Sequence, residues 1–225
     1  MLVVDGGPEA STAIARRFIE LARGPGAKIV LILSSDAAVP DAAIREFYRH
    51  RFGPLCCTIL HTTDRAVADS ADFVAPLRDA TGVWMTGGKP SALTDIYWHT
   101  STERALHAVL NRGGVVGGSS AGALIQGSRT PTAQPERGFA FLRNTLIMPH
   151  LNRGRARDML VTEISASGTL IGLGVSEQTA ALVSGDSLEV IGEGEVVIAD
   201  GMSHGAQPYA LLRSGDRFDL KPRAR

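Results

Sequence analysis

Cysteine is scarce in this chain: two in 225 residues, side by side at Cys56 and Cys57. Neighbouring residues of a strand point to opposite faces, so a bond between the two would be strained, and two reduced thiols are expected. No cluster of His and Cys has zinc-like spacing, so no metal is expected. Net charge is missing too, with 23 Lys plus Arg against 23 Asp plus Glu. That balance gives no reason to expect nucleic acid as a general partner, although a locally basic pocket stays open. Apolar runs are strand-sized and broken by charge or glycine, which excludes a membrane-spanning helix. The chain opens on Leu2-Val3-Val4-Asp5 with no charged lead and apolar core segment, so no secretory signal is expected and a reducing cytoplasm fits best.

What is present is globular. Apolar residues make up 44% of the chain, enough to bury a substantial core, and 225 residues without an internal repeat or a dividing linker read as one domain, 1–225. The first two-thirds alternates strand-like and helix-like stretches. Leu2 to Val4 ends in Gly6-Gly7, and a helical pattern with Ile14, Phe18, Ile19 and Leu21 follows. Lys28 to Leu33 is a continuous run of the kind buried on both faces. Thr81 to Met85 closes on Gly87-Gly88, and Thr100 with Glu103 reads as a capping box for the next helix. This order predicts an α/β three-layer sandwich with a mostly parallel central sheet and helices on both faces. Residues 128–140, rich in Pro, Thr and Arg, read as an exposed loop. Thr179 to Val183, Leu188 to Ile191 and Val196 to Ala199 read as antiparallel strands forming a meander at the sheet edge near the C-terminus.

Gly118-Ser119-Ser120-Ala121-Gly122 is a G-x-S-x-G pattern between an apolar strand and a short apolar helix. Only small residues permit the tight turn that lifts a serine hydroxyl above a sheet. The turn also aims the Ala121 N–H and a helix N-terminus at the space above Ser120, where an oxyanion would develop. A phosphate-binding glycine turn is the rival reading, weakened by the lack of a G-x-G-x-x-G pattern or a Lys-Ser/Thr ending. Serine needs a general base. Of six histidines, His150 follows Leu146-Ile147-Met148-Pro149 and so falls at a strand end, the edge where such sheets carry their chemistry. Glu177 ends another strand-like run and is a candidate for the orienting carboxylate, with Asp158 and Glu163 as rivals. Gly88 could supply a second oxyanion N–H or simply make a strand-to-loop turn. Trp84, Tyr97 and Trp98 could line an apolar pocket or pack as core and rim aromatics.

These stretches resemble the peptidase E and cyanophycinase family of serine peptidases, peptidase family S51, whose fold is similar to the class I glutamine amidotransferase domain. The resemblance rests on Gly6-Gly7, Thr86-Gly87-Gly88, Gly118 to Ala123, Pro149-His150 and Gly172 to Ala180. It implies a class I glutamine amidotransferase-like fold, with Ser120 as nucleophile, His150 as base, Glu177 as third member, and the amides of Gly88 and Ala121 as oxyanion donors. No cofactor is implied. The chain departs from the family where cyanophycinases carry a T-G-G-D-Q type sequence, since Lys89-Pro90 follows Gly88 here. Their arginine-rich stretch is partly echoed by Arg153, Arg155 and Arg157. Lys89, Arg153 and Arg155 are the charged candidates for gripping a substrate carboxylate, against a solvated-helix reading of the arginines. The implied substrate is a small acidic peptide or an isopeptide of β-aspartyl type. A catalytically silent relative serving as a binding protein, and a small-acyl esterase, are the alternatives. Edge strands favour a homodimer as a general expectation only.

Overall fold

The computed structural model describes residues 1–34, 36–37, 42–53, 57–131 and 137–220. Cys56, residues 132–136 and the end of the charged tail lie outside these. In chain order the elements are β1 (Leu2–Asp5), α1 (Thr12–Leu21), β2 (Ile29–Ile32), α2 (Ala42–Phe52), β3 (Thr58–Leu60), α3 (Arg65–Ala68), α4 (Ala71–Val74), β4 (Gly82–Met85), α5 (Pro90–Tyr97), α6 (Ser101–Asn111), β5 (Val115–Ser119) and α7 (Ala121–Leu124). Then come β6 (Gly127–Arg129), β7 (Leu142–Met148), α8 (Ala156–Ser167), β8 (Ile171–Val175), β9 (Thr179–Ser184), β10 (Ser187–Gly192), β11 (Val196–Ala199), β12 (Ala210–Leu212) and β13 (Arg217–Asp219).

The strands form two sheets. The larger has the order β13-β10-β9-β1-β5-β4-β2-β3, parallel from β1 through β3 and antiparallel from β9 outward. The smaller runs β12-β11-β8-β7-β6, with β6, β7 and β8 parallel. Helices cover both faces of the larger sheet. Ser11 caps α1 by accepting from the Ile14 N–H, and Ile14 and Phe18, one helical turn apart, face inward. There Phe18 meets Trp84 and Phe52 with ring centroids 5.0 and 5.8 Å apart. On the opposite face, Val4, Ile32, Met85 and Val116 share one core with Leu93 and Leu106 of the helices and with Ile147, Val175 and Ile198 of the second sheet. The far side of that second sheet is closed by Leu160 and Ile164 of α8.

The α/β layering and the mixed sheet are therefore as the sequence leads one to expect, but the C-terminal part is not. Of the three strands expected to form the meander, β9 and β10 extend the main sheet, where β13 joins them at the edge, whereas β11 crosses to pair with β8. Strand-like periodicity identifies both segments and says nothing about their partners. The stretch read as an exposed loop contains β6 and a buried Phe139, which the Phe139 N–H ties to Ile125 O at 2.7 Å. Thr100 stands at the N-cap of α6 without a side-chain cap bond; its hydroxyl donates to Tyr97 O at 2.6 Å, and Glu103 accepts instead from the His99 N–H. Cys57 is in disulfide form, against the expected reduced thiol. β3 starts only at Thr58, so the pleat that argued against a bond does not extend to Cys57.

Candidate active site

All parallel strands present their C-terminal ends at one edge, and the chemistry-bearing residues gather there. Asp5 ends β1 opposite Ser119, which ends β5, and Met85 of β4 pairs with Gly118. From the smaller sheet, Met148 and Val175 end β7 and β8 at the same edge. Ser120 follows β5 directly with φ 50° and ψ −114°, a backbone conformation that L-residues rarely adopt. His150 has φ 54°, and Gln178, next to Glu177, has φ 58°. Strain of this kind costs about 1–3 kcal/mol per residue and persists where the surroundings over-determine it.

The structure brings three of the sequence-identified side chains into one series. His150 Nε2 lies 2.9 Å from Ser120 Oγ, and His150 Nδ1 lies 2.8 Å from Glu177 Oε1. Glu177 is fixed through its own N–H, which donates to Asn152 Oδ1 at 3.0 Å. The rival carboxylates are elsewhere: Asp158 faces Arg155 on α8 and Glu163 faces Arg129. His107 rests on Phe139 O and His204 on Asp200, so neither competes with His150. Among the described residues no protein acceptor takes the N–H of Gly88 or of Ala121, and Gly88 lines the same cavity as Ser120.

The three cationic candidates fare differently. Arg153 reaches the site but pairs with the imidazole's partner: its Nη2 lies 2.6 Å from Glu177 Oε1, the same oxygen that meets His150 Nδ1. Arg155 is 85% exposed and pairs with Asp158 at 3.8 Å. Lys89 is exposed, and its backbone N–H donates to Asp36 Oδ2 at 3.1 Å. A cation that sequence reasoning missed is better placed. Arg51 of α2 lines a cavity of about 230 Å³ that opens on Ser120, together with Glu9, Tyr48, Phe52 and Trp84. Its guanidinium is half-buried, 3.3 Å from Glu9 and bonded to Ala10 O. The basic run Arg49-His50-Arg51 was the only sequence signal, and it reads equally as a solvated helix end. Of the pocket aromatics, Trp84 does line this cavity, while Tyr97 is core with its hydroxyl on Leu33 O. A larger cavity of about 440 Å³ lies at the opposite ends of β7 and β8, near Leu142 and Ile171, away from this chemistry. No group of three or more metal-ligating side chains occurs among the described residues.

A serine hydroxyl on a sharp strand-to-helix turn, hydrogen-bonded to an imidazole that a carboxylate orients, is the arrangement found across serine hydrolases. Comparison with known proteins narrows that class. The model of peptidase family S51 matches residues 5–191, and the chain belongs to that family. A cyanophycinase from Synechococcus elongatus is 30% identical over 188 residues, covering 76% of this chain and 58% of the relative, so the match spans less than two-thirds of that protein. A cyanophycinase from Geminocystis herdmanii is 26% identical over 98% of this chain and 93% of the relative. Among solved structures, a peptidase from an acI-B1 actinobacterium superposes with a TM-score of 0.76 at 26% identity, covering 97% of this chain and 96% of that one. A putative peptidase E from Listeria monocytogenes, at 14% identity and a TM-score of 0.60 over 86% of this chain and 98% of that one, shares the fold.

Proposed function

We propose that this protein is a serine-type peptidase that hydrolyses peptide or isopeptide bonds of small acidic peptides through an acyl-enzyme. The observation that carries the proposal is the unbroken series Ser120–His150–Glu177, at 2.9 and 2.8 Å. Ser120 Oγ attacks the scissile carbonyl as His150 Nε2 takes its proton, and Glu177 holds Nδ1 so that the imidazolium is stabilised where it forms. The developing oxyanion is received by the N–H groups of Gly88 and Ala121, neither of which has a protein acceptor among the described residues to give up. His150 returns the proton to the leaving amine, and water repeats the cycle on the acyl-enzyme. A fold of the class I glutamine amidotransferase type accords with the strand-end placement of all these groups. The substrate side rests on the cavity beside Ser120: small, walled by Phe52 and Trp84, with Arg51 as its cation. These features favour a short peptide carrying a carboxylate.

Intact mass after treatment with a fluorophosphonate tests the reading. One adduct on the wild type is expected, lost in Ser120→Ala and strongly slowed in His150→Ala. Absence of any adduct on the folded wild type would instead support a catalytically silent relative.

A further inference from the structure

Beneath the nucleophile lies a charged group that the hydrolytic scheme does not use. Asp5 is fully buried at the end of β1. Its Oδ2 accepts from Ser119 Oγ at 2.7 Å, and its Oδ1 accepts from the Gly7 N–H at 3.1 Å. A carboxylate with no exposure is rare in a strand and must be held for a reason. Its backbone explains why this position matters. The Ser120 N–H donates to Asp5 O at 3.3 Å, and the His150 N–H donates to the next carbonyl, Gly6 O, at 2.9 Å. Two successive carbonyls thus carry the two residues that must meet, one from each sheet. Both residues have positive φ, and the Ser120 bond sits one residue beyond the last β1–β5 pair, Asp5 with Ser119.

We propose that Asp5 is a positioning residue: its ionised carboxylate, bound to Ser119 and Gly7, fixes the Asp5-Gly6 carbonyls on which the Ser120 and His150 amides rest. The proposal rests on the reading of Ser120 and His150 as nucleophile and base. Protonation would disturb the clamp, because a carboxylic acid cannot accept from both donors with the same two oxygens unless the Ser119 hydroxyl turns round. Burial pushes the Asp5 carboxyl up to about 6; Ser119, Gly7 and Arg51 oppose that rise and Glu177 adds to it. The charged and titratable groups around it are Arg51 on α2, Glu177 after β8 and His150 after β7. An ionised group that burial disfavours costs stability, so its retention points to the site rather than to the fold.

Three measurements on the whole chain decide this. Fluorophosphonate labelling of Ser120, normalised to folded protein, is expected to slow roughly 10–100-fold in Asp5→Asn at pH 8, the scale of a small misplacement of reacting groups. Ser119→Ala, which leaves the carboxylate in place, is expected to slow it less. The melting temperature of Asp5→Asn at pH 8 should rise rather than fall, which a merely structural polar contact would not do. In the wild type, the backbone amide resonances of Gly7, Ser120 and His150 should share a titration near pH 6 that Asp5→Asn abolishes. Wild-type labelling rates and pH profiles in both variants, or Ser120 and His150 resonances that ignore the Asp5 titration, would overturn the proposal. If the wild type is not labelled at all, the nucleophile reading falls, and the resonances still decide whether Asp5 sets the two amides.

Discussion

At Gly88 the backbone adopts φ 141°, and an added Cβ would sit 2.2 Å from Ser34 Oγ. Gly88→Ala should therefore displace the loop that offers this N–H, cutting acylation of Ser120 by about 10²-fold or more while leaving the serine and histidine in place. Labelling rate beside an unchanged circular dichroism spectrum checks it. Arg51 invites a different test, since it touches the cavity and not the three-residue series. Arg51→Ala is expected to raise KM for carboxylate-bearing dipeptides by roughly 10-fold or more, with a much smaller change in kcat. Steady-state kinetics on a charged and a neutral substrate separate the two parameters. Ser120 and His150 stood out in the sequence because each follows a short apolar run that glycine or proline ends; Glu177, after Val175-Ser176, stood among rival carboxylates until the resemblance singled it out. Asp5 and Arg51 did not stand out. An aspartate closing a strand and an arginine in a basic helix end are ordinary surface features until the fold buries one and turns the other toward the serine.

Among the elements, α7 is a single turn of helix that must lie close to β4. A Cβ on Gly122 would fall 2.2 Å from Met85 O, a backbone atom that cannot swing aside. Gly122→Ala should destabilise the protein by about 1–3 kcal/mol, the usual cost of overpacking, measured as a fall in urea midpoint. α1 shows the reverse case, where loss of bulk is the injury. Phe18 is wholly buried between Trp84 and Phe52, so Phe18→Ala should cost about 3–5 kcal/mol. Urea unfolding checks it; normal labelling is not expected of the folded fraction, because Trp84 and Phe52 also wall the cavity beside Ser120. The pattern of Ile14 and Phe18 announced this helix and its buried side in advance. Nothing in the pattern of Val196 to Ala199 announced that it would leave its neighbours and join a second sheet, because a strand's own periodicity is the same whichever partner it finds.

Over the whole molecule, Asp5 also sets a pH dependence of stability. Its folded value, about 6, lies above its unfolded one, so the folded state gains protons relative to the unfolded chain. Its contribution is greatest below about pH 4 and is lost as pH rises through 6, by an amount on the order of 3 kcal/mol. Urea unfolding of wild type and Asp5→Asn between pH 4.5 and 8 should show this slope in the first and its loss in the second. The position of β1 has a further consequence, in time rather than in space. β1 leaves the ribosome well before its two neighbours, β5 and β9, which hold residues 115–119 and 179–184. The seat of both Ser120 and His150 is thus made early and completed much later, since long-range strand pairing must wait for the later partner. A nascent chain ending before Thr179 carries the serine and the histidine but leaves β1 unflanked on one side. Hydrolytic competence should therefore appear abruptly, keeping a growing chain inert in the presence of peptide until β9 has emerged.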